Sequence, residues 1–429
     1  MDSKQKGDIG ENAVNEIAFN TYLKYWCYPN PKDELGNKKE ICDLLILFRK
    51  TLIIFSIKNY SFEGNYARYF NNTLKKAISQ VQGAERKLLG SRIISIKHPN
   101  KPLEEINPST IDEVQRVIVN LNMRPVFYPG GLMTSKGKYT HVLNWFSFLR
   151  LVRELDTIPD FIEYLKEREN TFFNKELLML TGTGDQYDID TNEQMYSHAK
   201  KFDEAKSFVL LSGNELDLLA DYYFNERKFS KHFYRGNQSG IGIDIEGKWE
   251  DYLSRKEVQL KKADDRYSYF VDKFVSNEVL YRTNFSNLEL ATELLAMSRF
   301  ERRILGKNFY EFSDKYKNED SEFIARRYGK FNDMIIGLML YSSSMTREEA
   351  LTPLQLALLG YSHWEGYKTK KIVMIGFSNK RTGFIFGYTA DMHPLDKKEE
   401  NDLILDLKKI DWFQNMEPSI FTIDEYPQE

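Results

Sequence analysis

Cysteine is nearly absent from this chain: Cys27 and Cys42 are the only two in 429 residues. Two thiols cannot frame a disulfide-stapled domain or supply a cysteine-based zinc site. Long apolar runs are missing as well, since no stretch approaches the roughly 20 residues of a membrane-spanning helix. The opening MDSKQKGDIGEN lacks the apolar core of a signal peptide. The expectation is a cytoplasmic protein with no membrane partner. Charge of one sign is not in excess, because 60 Lys and Arg stand against 63 Asp and Glu. Any surface for a polyanion must therefore be local. No GxxxxGK[ST] loop, HExxH or GxSxG is present, and the six histidines are scattered singly. The glycine-rich Thr181 to Gly184 lacks the lysine and strand context of a phosphate loop. Internal repeats and low-complexity segments are absent.

What is present suits a globular protein: 41% hydrophobic residues, 29% charged and 14% aromatic. The length suggests two or three domains. The most informative stretch is Ile41 to Asn59, ICDLLILFRKTLIIFSIKN. Two β-favouring runs flank the polar Phe48-Arg49-Lys50-Thr51, which predicts an antiparallel hairpin. With Arg49 and Lys50 as the tight loop, Asp43 falls opposite Ser56, on one face. Side chains alternate with period two, so Lys58 shares that face. A slip of one residue would send the lysine to the other side.

Around the hairpin, Gly7 to Tyr25 reads as a helix capped by Asp8, with Glu11 beside its apolar stripe. Tyr28 to Gly36 is turn chemistry, and Tyr60 to Asn72 an aromatic, polar loop. Thr73 to Leu89 forms an amphipathic helix whose stripe is Leu74, Ala77, Ile78, Val81, Ala84 and Leu88. Gln80 lies on a neighbouring row with Lys76 and Lys87. Strands are predicted at Arg116 to Leu121 and Tyr139 to Leu143, and helices at Asn144 to Asp156 and, starting after Thr157-Ile158-Pro159, to about Glu169. After a connector near Thr181 to Glu193, Phe202 to Lys228 and Lys248 to Asn277 look helical. Asn287 to Lys307 reads as one helix with Arg299, Arg302, Arg303 and Lys307 in its last turns. Lys371 to Phe377 and Gly383 to Thr389 pair as a hairpin.

An aspartate and a lysine on one strand face, with a second carboxylate nearby, suit metal-assisted phosphodiester hydrolysis. Carboxylates hold a hard cation, and the lysine stabilises developing charge or orients the nucleophile. On these residues the N-terminal part resembles the PD-(D/E)XK nuclease superfamily, in its restriction-endonuclease-like and RecB-like neighbourhood. That superfamily presents a helix glutamate, a strand aspartate, an acid-x-lysine on the next strand and often a glutamine in the following helix. The matching positions are Glu11 in GDIGE, Asp43 in EICDLLIL, Lys58 in FSIKN and Gln80 in AISQVQGAE. The resemblance implies an α/β fold with a mixed sheet flanked by helices and a metal-dependent endonuclease acting on DNA, RNA remaining open. It implies Mg2+ or Mn2+ held by Glu11, Asp43 and the backbone carbonyl of Ile57, with Lys58 catalytic and Gln80 supporting the site.

One departure matters: Ser56 stands where the superfamily usually has an acid. Glu11 then carries more of the burden, with Glu85 or Glu63 as fallbacks. The alternative is a catalytically silent nuclease fold that binds nucleic acid or protein. Each residue alone also has an ordinary reading: a turn aspartate, a snorkelling lysine, a first-turn glutamate, a solvated glutamine. Lys75 and Lys76 open a helix beside the site and suit DNA contact. Arg68 could join them, while Tyr66, Tyr69 and Phe70 could stack on bases or pack on their own domain. The Arg299 to Lys307 cluster could hold phosphate, but pairing with Glu301, Glu293 or a helix dipole is the favoured reading. The domain plan is residues 1–175 nuclease-like, 176–280 helical, and 281–429 an α+β recognition or regulatory region. By analogy of architecture such a chain resembles anti-phage effectors, working as a dimer or larger oligomer and gated by a partner protein or trigger ligand.

Overall fold

The computed structural model describes residues 21–59, 68, 70–121, 127–134, 137–181, 207–234, 240–331, 333–381, 383–390, 393–413 and 423–427. The chain divides into two compact units, Met1–Val258 and Gln259–Glu429. Among the described residues no helix is long and apolar enough to cross a membrane.

The first unit is built on a nine-stranded mixed sheet. Its strands are β1 (Cys27–Pro29), β2 (Leu44–Phe48), β3 (Thr51–Lys58), β6 (Glu113–Asn120), β7 (Phe127–Met133), β8 (Tyr139–Asn144), β9 (Lys175–Leu180), β10 (Ser207–Ser212) and β11 (Gly240–Asp244). Their order across the sheet is β1-β2-β3-β6-β8-β7-β9-β10-β11. Two short strands, β4 (Ile94–Ile96) and β5 (Glu104–Ile106), pair separately. β1, β2 and β3 form an antiparallel meander, while β6 and β8 run parallel to β3. The hairpin has the expected register, with Leu44 opposite Phe55 and Phe48 opposite Thr51. Arg49, in the two-residue turn, takes a positive φ of 52°.

Helix α1 (Lys76–Leu88) follows a π-helical turn at Phe70–Lys75. Its Val81, Ala84 and Leu88 pack on Leu45, Leu47, Leu52 and Ile54, and Leu74 and Ala77 on Ile118, Val142 and Leu178. Covered on both faces, β2 reads as an uninterrupted apolar run with all five residues buried. Helix α2 (Trp145–Glu154), capped by Asn144, brings Phe148 to 5.6 Å from the Phe55 ring. Helix α3 (Ile158–Phe172) starts where Thr157 caps it, with Pro159 in its first turn.

A buried polar chain links these layers. Arg168 of α3 donates to Glu215, which begins α4 (Glu215–Phe224), and to Nδ1 of His141, whose Nε2–H faces Gln115 Oε1 at 2.9 Å. Burial, reinforced by Arg168 and Arg116, pushes the His141 imidazole well below the ordinary range. The neutral ring is the form that accepts at Nδ1.

The stretch 176–280 is not simply helical. It carries most of β9 together with β10 and β11, which continue the first sheet as a parallel trio. Its helices are α4, α5 (Lys248–Ser254), α6 (Lys256–Asp265) and α7 (Tyr269–Phe274). Ser207–Ser212, expected inside a helix, is short and apolar, and periodicity does not separate such a strand from a buried helical turn.

In the second unit a four-stranded sheet runs β12 (Ile324–Phe331), β13 (Met334–Tyr341), β14 (Lys371–Ser378), β15 (Phe384–Ala390). β14 and β15 form the expected hairpin, with Phe377 opposite Phe384. The segment expected as one helix from Asn287 to Lys307 is two, α8 (Leu288–Leu295) and α9 (Arg299–Tyr316). Ser298 restarts the chain by accepting from Glu301 N–H, while the Glu301 carboxylate accepts from Ser298 N–H. Leu354 and Ala357 of α10 (Arg347–Trp364) and Leu403 and Leu407 of α11 (Lys397–Lys409) share a buried core with β13 and β14. Phe309 of α9 stacks on Phe270 at 3.8 Å and approaches Phe377 at 4.6 Å.

Candidate functional site

Asp43 sits one residue before β2, where Asn30 N–H holds its carbonyl at 3.0 Å. The ladder between β2 and β3 ends at Leu44 and Phe55, so the last residues of β3 run on past β2. The Asp43 carboxylate fills that gap. Its Oδ2 accepts from the Ile57 N–H and lies 3.3 Å from Ser56 Oγ and 4.0 Å from Lys58 Nζ. Residues of one strand turn N–H and C=O toward the same neighbour. The Ile57 carbonyl therefore shares the Asp43 edge.

Gln80 reaches the same cluster from α1, with Oε1 at 3.0 Å from Ser56 Oγ. A hydroxyl carries one proton and can donate to only one of two acceptors. With the Gln80 amide turned, its NH2 would donate to Ser56 and free the serine proton for Asp43, completing a chain from helix to carboxylate. The side chains of Lys58 and Asp43 are 17% and 27% exposed, so the pair is reachable from solvent. Burial holds the Lys58 ammonium below the usual lysine range, Lys76 adds to that, and Asp43 and Glu40 oppose it.

The expected residues thus divide. Asp43, Ser56, the Ile57 backbone, Lys58 and Gln80 converge. Lys75 ends the π-helical turn and Lys76 begins α1, both exposed, and Arg68 is exposed as well. Glu11, Glu63, Tyr66 and Tyr69 lie outside the described residues. Glu85 is ruled out as a fallback ligand. Five residues separate it from Gln80, which turns the two side chains about 140° apart on the helix. It binds Arg116 through hydrogen bonds of 2.8 and 2.7 Å, and Lys138 beside it, and these cations hold its carboxyl below the usual range despite burial.

Sequence reasoning missed the row beyond Lys58. Lys58 is level with Asn120, and Asn120 with Asn144, across the carboxyl ends of three parallel strands. Asn144 Nδ2 donates to Tyr128 OH at 3.1 Å. Carboxyl ends of parallel strands are the usual ligand edge of an open α/β sheet. An asparagine closing the apolar run RVIVN was the available signal. Glu40, whose charge reaches Lys58, was also missed.

The donor set can be weighed against a hard divalent cation. Among the described residues the three contacts to the Asp43 carboxylate fall on Oδ2, which leaves Oδ1 and the Ile57 carbonyl as oxygen donors there. Among the described residues no group of three or more His, Cys, Asp or Glu side chains forms. This meets the lower limit for Mg2+, which keeps several waters and takes one or two carboxylates.

The α9 cations are a different case. Arg299 and Arg302 share Asp272 at 2.8 and 2.7 Å, Arg303 pairs with Asp265 at 3.2 Å, and Lys307 pairs with Asp264. They open a helix rather than close one, and aspartates of α6 and α7, not the expected glutamates, neutralise them. Comparison with protein-family models, curated proteins and solved structures finds no match.

Proposed function

We propose that this chain is a Mg2+-dependent nuclease that hydrolyses phosphodiester bonds of DNA, with Asp43 and Lys58 at its centre. The observation that carries this reading is the convergence of Asp43, Ser56, Lys58 and Gln80 from two strands and a helix. Asp43 and the Ile57 carbonyl would hold the metal, with Glu11 as the second carboxylate. When bound it supplies polarisation of the phosphoryl oxygen and a more acidic water.

The chain's own groups do the rest. Ser56 and the Ile57 N–H fix the Asp43 carboxylate through its Oδ2. Lys58 presents a partly desolvated ammonium to an incoming phosphate, where attraction exceeds that of a fully solvated lysine. Gln80 braces Ser56 and so the orientation of Asp43.

The test is incubation of the purified chain with plasmid DNA, single-stranded DNA and RNA in Mg2+, Mn2+ or EDTA. Cleavage should require the metal and fall by about 100-fold or more in Asp43→Ala and Lys58→Ala. Cleavage that survives both substitutions overturns the assignment. A second reading, a silent nuclease fold that only binds, is favoured by Ser56 in the acid position and by the sequestered Glu85. Binding without cleavage under every condition would select it.

A further inference from the structure

Gly83 lies inside α1, where glycine is the least favourable residue after proline. Packing does not require it, because a Cβ built at Gly83 meets nothing within 4 Å. Its neighbours on the helix surface are Gln80 and Lys87, and one turn further back Lys76, at spacings of four, three and four residues. One end of this row touches the candidate site through Gln80 and Ser56. At the other, Lys87 Nζ donates to two neutral acceptors among the described residues, Lys39 O at 2.9 Å and Asn37 Oδ1 at 3.3 Å. Among the described residues neither Lys76 nor Lys87 forms an ion pair. The α9 cations each have an aspartate; these two have no carboxylate partner among the described residues.

We infer that the Lys76-Gln80-Gly83-Lys87 row is a track for a nucleic-acid backbone, which passes closest over Gly83 and is delivered to Asp43 and Lys58. Glycine at the midpoint lets a sugar-phosphate chain approach the helix where any side chain would hold it off. From Lys76 to Lys87 the helix rises about 16 Å, the axial length of about five nucleotides of one DNA strand. The charge pattern fits a polyanion better than a protein partner, since no apolar side chain lies on the row.

This inference rests on the nuclease reading, and its test separates the two. Binding of a fluorescein-labelled DNA duplex is followed by anisotropy in EDTA between 50 and 200 mM salt, for wild type, Gly83→Ala, Gly83→Leu, Lys76→Gln and Lys87→Gln. Gly83→Ala should melt higher than wild type by about 2–4 °C, because the helix gains propensity and loses no contact. Gly83→Leu, equally well folded, should bind about tenfold more weakly. Each lysine substitution should flatten the slope of log K against log salt by about 0.9. Wild-type affinity and slope in Gly83→Leu overturn the track, even where cleavage still depends on Asp43 and Lys58. A wild-type protein that binds no nucleic acid overturns the nuclease reading, and the track with it.

Discussion

Glu85 grips Arg116 with both carboxylate oxygens, at 2.8 and 2.7 Å, beneath the sheet face that α1 covers. Both side chains are nearly buried, at 4% and 10% exposure. Removing one partner of such a pair strands the other charge, at a cost of about 3–5 kcal/mol. Glu85→Ala should lower the denaturant midpoint of the first unit accordingly, with Glu85→Gln milder. A metal ligand would behave oppositely, losing cleavage at unchanged stability.

Ser56 is the position to rebuild. Ser56→Asp sets a second carboxylate beside Asp43 Oδ2, to which the serine hydroxyl already lies at 3.3 Å. Two carboxylates that close repel unless a cation joins them. In EDTA the variant should melt several degrees below wild type, with a 1 kcal/mol loss worth about 2–4 °C. Added Mg2+ should recover more of that loss than it adds to wild type. Equal Mg2+ responses, read by differential scanning fluorimetry, would count against a metal at Asp43.

His98 should make the first unit acid-sensitive. Its Nδ1 accepts from Asn100 N–H at 3.1 Å and its Nε2 faces the Lys24 carbonyl at 3.0 Å, which fixes the neutral tautomer. Burial, with Lys101 nearby, brings the imidazole down to about 4. The unfolded chain takes up its proton near pH 6.5, so stability is full above that value and is lost as pH falls toward 4. His141 acts in the same sense. Thermal melts at pH 7, 6, 5 and 4.5 should show the decline, and His98→Gln, though less stable at pH 7, should show a shallower one.

Asp272 anchors two guanidinium groups in the second unit. Arg302, 1% exposed, also donates to the carbonyls of Met297 and Leu295, which ties the break between α8 and α9 to α7. Asp272→Ala should destabilise that unit by about 3–5 kcal/mol. Oligonucleotide should not restore the loss, since these arginines serve the fold. Restoration on adding DNA would revive the phosphate-binding reading of the cluster.

Legibility followed the strength of local patterns. The Ile41 to Asn59 hairpin could be read to the residue because a polar turn interrupts two β-favouring runs, and its parity then placed Asp43, Ser56 and Lys58 together. Helix α1 showed through its apolar stripe; α2 and α3 were expected too, but the capping roles of Asn144 and Thr157 emerged only in the structure. β13 passed unread because a strand buried on both faces carries no alternation. β1 hid in the tyrosine and prolines that otherwise signal a turn. The pairing of Arg299 and Arg302 with Asp272 is tertiary, between residues about 30 apart in sequence, and no periodicity reports it. Asn120 escaped notice because its meaning comes from the parallel neighbours beside it.

The turn at Arg49 and Lys50 touches none of the candidate chemistry and lies about 23 Å along β3 from Lys58. It nevertheless acts as the hairpin's frame marker. An added pair of residues can lengthen the ribbon and keep the side on which Asp43 and Lys58 meet; a single added residue keeps it only where the turn absorbs it as a three-residue loop, and separates the two where the tight turn is retained and the strands slip. Insertions at that exposed, unreactive turn thus report on the site through the register they leave behind.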